Sequence, residues 1–275
     1  MKLITTLIVL CTLTTFASAD DWPNFRGANH NGNSSESTWN SRLGGAPKVA
    51  WRASVGEGYS SVAVAGGKVF TVGNSNGTDT VWGLDAATGR MGWRYSYRCD
   101  AGDYGGPRAT PAVDGDRVYT FSRDGRAFCI NANTGKLVWQ ANVAGIAKAE
   151  MPNWGFAGSP LVEGANVYYN AGDSGVALDK MTGKVFWRSG GGKGGYSTPV
   201  PFTQGGTRGI ALFTSYGVAA VTASQGKVLW YFPWETNYGV NSADPLFYNI
   251  LHTVTTCVKS KVWNLRVSNL SSSSL

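Results

Sequence analysis

The sequence predicts an all-β protein, a β-propeller of four-stranded antiparallel blades. Two observations predict it. The composition is rich in turn formers and strand formers, and one short segment recurs four times at intervals in the forties.

Composition comes first. Among 275 residues there are 37 glycines, 11 tryptophans and 12 tyrosines, and only 15% of residues are charged. Glycine serves tight turns, and aromatic residues suit pleated faces buried on one side. Disorder needs more charge and fewer aromatics.

The recurring segment decides the architecture. Its copies are Asp85 to Trp93, Asn131 to Trp139, Asp179 to Trp187 and Thr222 to Trp230, with tryptophans 46, 48 and 43 residues apart. A fifth copy of the ending, Lys48-Val-Ala-Trp51, lies 42 residues before Trp93 and reads as a lone outer strand over Lys48 to Arg52. Such a spacing belongs to propeller blades. Asp85, Asn131 and Asp179 can turn their side chains onto backbone N–H groups two residues on, which starts a turn. Gly89, Gly135, Gly183 and Gly226 can take the left-handed conformation that the turn needs. The residues that follow alternate into a strand ending at tryptophan.

Upstream lie hairpins with short polar turns, at Ala63 to Phe70, Ala112 to Tyr119 and Leu161 to Tyr168. Four full units follow, at 59–95, 107–141, 157–189 and 196–232. Trp51, Trp93, Trp139, Trp187 and Trp230 are structural residues packed between neighbouring blades, because a buried indole brings a large apolar area and needs a partner for its N–H.

The flanks read differently. Residues 1–19 form a secretory signal: Lys2, an apolar run from Leu3 to Leu13, and the small-residue site Ala17-Ser18-Ala19 before Asp20. No later stretch is long and apolar enough to span a bilayer as a helix, so no transmembrane segment is expected after cleavage. The product is exported, periplasmic or secreted. Residues 20–47 form an N-terminal extension, 48–249 the repeats and 250–275 an aberrant or divergent tail. In that tail a fifth unit opens at Ser242 to Asn249, yet no turn glycine follows Gly239. An incomplete or truncated ring is therefore expected.

Charge excludes one class of partner. Loss of Lys2 takes the 24 basic residues to 23 against 17 acidic ones, and they are scattered along the chain, so nucleic-acid binding is not expected. Three cysteines, Cys99, Cys129 and Cys257, remain after cleavage, an odd number with no Cys-x-x-Cys. Two histidines, His30 and His252, do not make a metal centre or a triad.

The motif Leu/Ile-Asp/Asn-x-x-Thr-Gly-Lys/Arg-x-x-Trp, as in Leu178-Asp179 through Trp187, resembles the pyrrolo-quinoline quinone (PQQ) repeat family. The opening Trp22-Pro23-Asn24-Phe25-Arg26-Gly27 is similar to the start of exported bacterial members. That family holds PQQ-dependent dehydrogenases and also non-catalytic propellers, among them a lipoprotein of the outer-membrane assembly machinery. The resemblance implies PQQ with calcium as a cofactor in the enzymes. Those enzymes place a Glu, Asn and Asp set around calcium and a disulfide between adjacent cysteines. No two cysteines are adjacent here and no matching set is recognisable, so no catalytic or metal-ligating residue is assigned.

A site is expected at the mouth of the channel, in the loops that lead into each inner strand. They carry Tyr59, Tyr104 with Arg108, Trp154, Tyr196, and Tyr238 with Asn241. These read as a ring of stacking groups with Arg108 as an anion or hydrogen-bond anchor. Packing that plugs a narrow channel is the other use of the same aromatics. The function read from the sequence is a non-catalytic exported propeller, a scaffold for a protein partner or a small molecule held at the channel. A quinone-dependent oxidoreductase, complete or decayed, is the alternative.

Overall fold

The computed structural model describes residues 20–37, 48–248, 251–255 and 262–265. The signal segment 1–19 lies outside them, as do 38–47 of the extension and most of the tail.

Four sheets have four antiparallel strands each. The first holds β1 (Ala63–Ala65), β2 (Lys68–Ser75), β3 (Thr78–Asp85) and β4 (Met91–Arg98). The second holds β5 (Ala112–Asp114), β6 (Arg117–Phe121), β7 (Arg126–Asn131) and β8 (Leu137–Asn142). The third holds β9 (Leu161–Glu163), β10 (Asn166–Tyr169), β11 (Val176–Asp179) and β12 (Val185–Arg188). The fourth holds β13 (Val200–Gln204), β14 (Thr207–Phe213), β15 (Gly217–Thr222) and β16 (Val228–Pro233). In each, strand order follows chain order, as in a propeller blade. One short helix, α1 (Val143–Ala147), links the second and third blades.

The fifth sheet has three described strands, β17 (Leu246–Tyr248), β18 (Leu251–Thr255) and β19 (Val262–Leu265). The tail therefore contributes a hairpin, with Phe247 opposite His252, despite its lack of a turn glycine. The rest of 250–275 lies outside the described residues.

The recurring segment folds as its chemistry requires. The Asp179 carboxylate accepts hydrogen bonds from Met181 N–H at 3.1 Å, Thr182 N–H at 2.8 Å and Thr182 Oγ1 at 2.7 Å. Asp85 and Asn131 hold their turns through Thr88 and Thr134 in the same way. Those bonds, Thr88's side chain first, lower the Asp85 pKa. Next comes a bulge: Leu178 pairs with Val185 but Ala177 pairs with Trp187, so Phe186 is the extra residue. The same shift precedes Trp93, Trp139 and Trp230. A bulge re-aims the following side chain and blunts an edge strand.

Here it aims each tryptophan at the next blade. Trp93, Trp139 and Trp187 are 7–8% exposed. Their indole N–H groups donate to Ala132 O at 2.8 Å, Lys180 O at 3.0 Å and Ala223 O at 2.9 Å, each a carbonyl in the turn of the following blade. The ring also covers that turn's glycine. A Cβ at Gly183, whose φ is +71°, would fall 2.7 Å from the Trp139 ring.

Two of the five expected tryptophans depart from this pattern. Trp51 takes the same seat on the first blade, donating to Ala86 O at 2.9 Å over Gly89. Residues 48–52 nevertheless form no strand, which corrects the expected lone outer strand; the segment meets the first blade through the indole N–H bond rather than a backbone ladder. Among the described residues no strand pairing closes the ring. Trp230 donates instead to Gln204 Oε1 at 3.2 Å, inside its own blade, and is only half-buried.

The core lies in the seams. Phe70, Val81 and Trp93 meet Val118, Phe128 and Ile130 between the first two blades. Tyr119, Cys129 and Trp139 meet Val167, Tyr169 and Leu178 in the next seam. Tyr168 and Trp187 meet Ile210, Leu212 and Val221 in the third. Cys99 and Cys129 are free buried thiols, which burial raises to pKa values of about 12 and about 11. They belong to the core and are not reactive thiolates.

Candidate functional site

The N-terminal segment crosses the inner strands. Trp22 and Val64 exchange backbone hydrogen bonds at 2.8 Å, and Val113 N–H donates to Pro23 O at 2.7 Å. This brings Phe25 and Arg26 to the axis, where the loops leading into all five inner strands meet.

Those loops line a cavity of about 680 Å³, within the range of about 300–1,000 Å³ usual for ligand pockets. Its walls are aromatic: Phe25, Tyr59, Tyr104, Trp154 and Tyr196. Tyr104 meets Trp154 edge-on, with centroids 6.1 Å apart at 88°, and Trp154 meets Tyr196 at 5.8 Å and 42°. The Tyr196 hydroxyl accepts the Trp154 backbone N–H at 3.2 Å, and burial raises its pKa.

Five of the seven expected site residues thus surround one cavity: Tyr59, Tyr104, Arg108, Trp154 and Tyr196. The other two do not. Asn241 is fully buried, its amide nitrogen within 2.8–3.2 Å of the carbonyls of Thr214, Ser215 and Trp234. It is a strut of the loop, because a buried amide must find carbonyls. Tyr238 is 76% exposed at a φ of +65° and borders a separate, smaller depression with Lys193 and Glu235.

Arg108 also fastens the loops around it. Its guanidinium donates to Gly106 O, Trp154 O and Tyr104 O at 3.1–3.3 Å and lies over the Tyr59 ring, 5.2 Å from its centroid. Three of its five N–H donors therefore fasten loops. Burial, then the charge of Arg123, lowers its pKa.

The floor holds residues that the sequence reading did not single out. Thr110, Ser159 and Thr198 occupy the same place in successive blades, each just before a proline that opens an inner strand. Asp244, before Pro245, is the fifth-blade equivalent. They are linked around the axis: Thr110 N–H donates to Ser159 Oγ at 2.9 Å, Ser159 N–H to Thr198 Oγ1 at 3.2 Å and Thr198 N–H to Asp244 Oδ1 at 2.8 Å. The recurring Ser/Thr/Asp-Pro pair was the available signal.

Asp244 ends this chain. Its side chain is 6% exposed, and Arg26 Nη1 lies 3.8 Å from Oδ2, a Coulombic contact too long for a hydrogen bond. Burial raises its pKa to about 6, against the opposing pull of the Thr198 N–H and Arg26.

These donors do not fit PQQ with calcium. Calcium takes six to eight converging oxygens. Asp244 is the single acid in the lining, and it already serves Thr198 and Arg26. No cluster of three or more His, Cys, Asp or Glu exists among the described residues.

Fold and cavity together define a β-propeller with a ligand-sized site where its inner strands begin. The chain belongs to the PQQ_2 repeat family: the family model described as outer membrane protein assembly factor BamB matches residues 98–244, over half of it. The quinohemoprotein alcohol dehydrogenase ADH IIB of Pseudomonas putida is 34% identical over 122 residues, 38% of this chain and 16% of that protein. The tetrathionate hydrolase of Acidithiobacillus ferrooxidans is 33% identical over 135 residues, 48% of this chain and 22% of that protein. The matched stretches thus span less than a quarter of these curated relatives. Among solved structures, BamB from Moraxella catarrhalis superposes with a TM-score of 0.56 at 20% identity, covering 76% of this chain and 62% of that one. The quinohemoprotein alcohol dehydrogenase from Comamonas testosteroni gives 0.66 at 17% identity, covering 89% of this chain and 45% of that one. Identities this low speak for the fold alone.

Proposed function

We propose that this is an exported, non-catalytic propeller that binds a protein or small molecule at the aromatic cavity. One observation carries the reading: five aromatic side chains, four from the loops of successive blades and one from the N-terminal segment, wall a single cavity with one internally paired acid. Large aromatic area with few placed polar groups suits recognition. The non-catalytic reading rests on the donor set, in which the single lining acid already serves Thr198 and Arg26. Export rests on the leader sequence. No helix among the described residues is long and apolar enough to cross a membrane.

Quinone-dependent oxidation is the second reading, favoured by the names of two curated or solved relatives. Reconstitution separates the two. Purified protein mixed with PQQ and calcium is expected to show neither bound-quinone absorbance nor alcohol-dependent dye reduction. Dye reduction that needs both additions would overturn the non-catalytic reading.

A further inference from the structure

The cavity has two unlike surfaces. The wall is a staircase of rings, Tyr104, Trp154 and Tyr196, with the Tyr59 ring across from it beneath Arg108. Among the described residues, neither the Trp154 indole N–H nor the hydroxyls of Tyr59 and Tyr104 have a hydrogen-bond partner, so the rim is rich in donors.

The floor is hydroxylic. Thr110, Ser159 and Thr198 are 2%, 4% and 7% exposed. Ser159 and Thr198 each accept one backbone N–H. Among the described residues their own O–H protons have no acceptor, and the Thr110 hydroxyl has no partner. These hydroxyls open onto the cavity, where they are free to bond an occupant or water. The occupant must accept hydrogen bonds there and can also donate, to Asp244.

Asp244 faces Arg26, while Arg108 spends three of its five N–H donors on loop carbonyls and keeps two, with its charge, for an occupant. A flat hydrocarbon ring would satisfy the aromatic walls but leave the floor hydroxyls without an acceptor, which costs binding energy. A pyranose ring meets both demands. Its C–H face packs on an aromatic ring, and its edge carries hydroxyls that donate and accept.

Building on the reading of this cavity as a binding site, we infer that its ligand is a carbohydrate. One sugar ring stacks on the Trp154 staircase and its hydroxyls reach Thr110, Ser159 and Thr198.

The test is calorimetric titration of the exported full chain with maltohexaose, cellohexaose and chitohexaose, alongside PQQ and a proline-rich peptide. At least one oligosaccharide is expected to bind saturably. Trp154→Ala weakens that binding by about tenfold or more. Thr110→Val removes one hydroxyl with no partner in the protein; it weakens binding several-fold while the melting temperature stays unchanged. Phe186→Ser, on an exposed outer strand, leaves affinity unaltered. Failure of all three sugars, or sugar binding indifferent to both cavity variants, overturns the carbohydrate inference. Trp154-dependent binding of PQQ or the peptide in place of sugar overturns it too, but leaves the cavity as the binding site. No binding by any of the five probes overturns both.

Discussion

The seam between the second and third blades and the seam between the fourth and fifth are built from different contacts. In the former, Trp139 is 8% exposed, donates to Lys180 O at 3.0 Å and covers Gly183. In the latter, Trp230 is half-buried and turns back to Gln204 of its own blade. Among the described residues, the contacts to the fifth blade include a Phe202–Phe247 stack, with centroids 4.7 Å apart at 7°, and the Thr198 N–H to Asp244 bond. The contrast shows that the repeat motif encodes half a contact at each of its ends. Among the described residues, a tryptophan is stapled wherever the following blade presents a turn carbonyl and a glycine.

The largest expected effect separates the two tryptophans. Trp139→Ala should destabilise by about 3–5 kcal/mol, the cost of a large aromatic lost from a core. Trp230→Ala should lose only about 1 kcal/mol, as for a half-exposed residue. Urea unfolding of both variants checks this, and equal losses would erase the distinction between seams.

The glycine side of the staple gives a sharper contrast. Gly164→Ala, at φ +58° with open space around it, should cost about 1 kcal/mol for the left-handed backbone alone. Gly183→Ala meets the same backbone demand and also the Trp139 ring at 2.7 Å, adding about 1–3 kcal/mol of overpacking. Similar melting temperatures for the two would mean that the indole yields freely.

The fifth seam should instead respond to pH. Asp244 has a pKa raised to about 6 by burial, so the fold favours its protonated form. Its contribution to stability is fully present below the usual carboxylate value of about 4 and is lost as pH rises through about 6. Asp244→Asn keeps an oxygen for the Thr198 N–H. It should match the parent at pH 4 and melt a few degrees higher at pH 7.5, an effect of about 2 kcal/mol. A variant less stable than the parent at pH 7.5 would show that the Arg26 pair outweighs burial.

Which of these features could be read in the sequence follows from how local each contact is. The blades and the seats of Trp93, Trp139 and Trp187 were legible, because bulge, turn and indole all lie within one nine-residue motif. Tyr104, Trp154 and Tyr196 were legible as positions, since each precedes an inner strand. Asn241 was expected at the cavity and instead braces its loop. A polar side chain in a loop can face a cavity or fold back onto carbonyls, and only the path of the neighbouring loops decides. The Ser/Thr/Asp-Pro floor was present in the sequence but resembled ordinary strand punctuation. Its bonds join residues 39–49 positions apart, beyond any local pattern. The tail hairpin was obscured because β17 and β18 are joined without the glycine turn seen in the other blades.

Native-state hydrogen exchange tests the seam account most directly. If tryptophan staples bind the first four blades into one cooperative unit, the amides of β7, β11 and β15 should exchange together, at the slow rate set by global unfolding. The amides of β17 should exchange much faster, through local opening of the fifth seam. Exchange of β17 as slow as that of β15 would contradict the account and show that the Phe202–Phe247 stack and Asp244 hold the last blade as firmly as any staple.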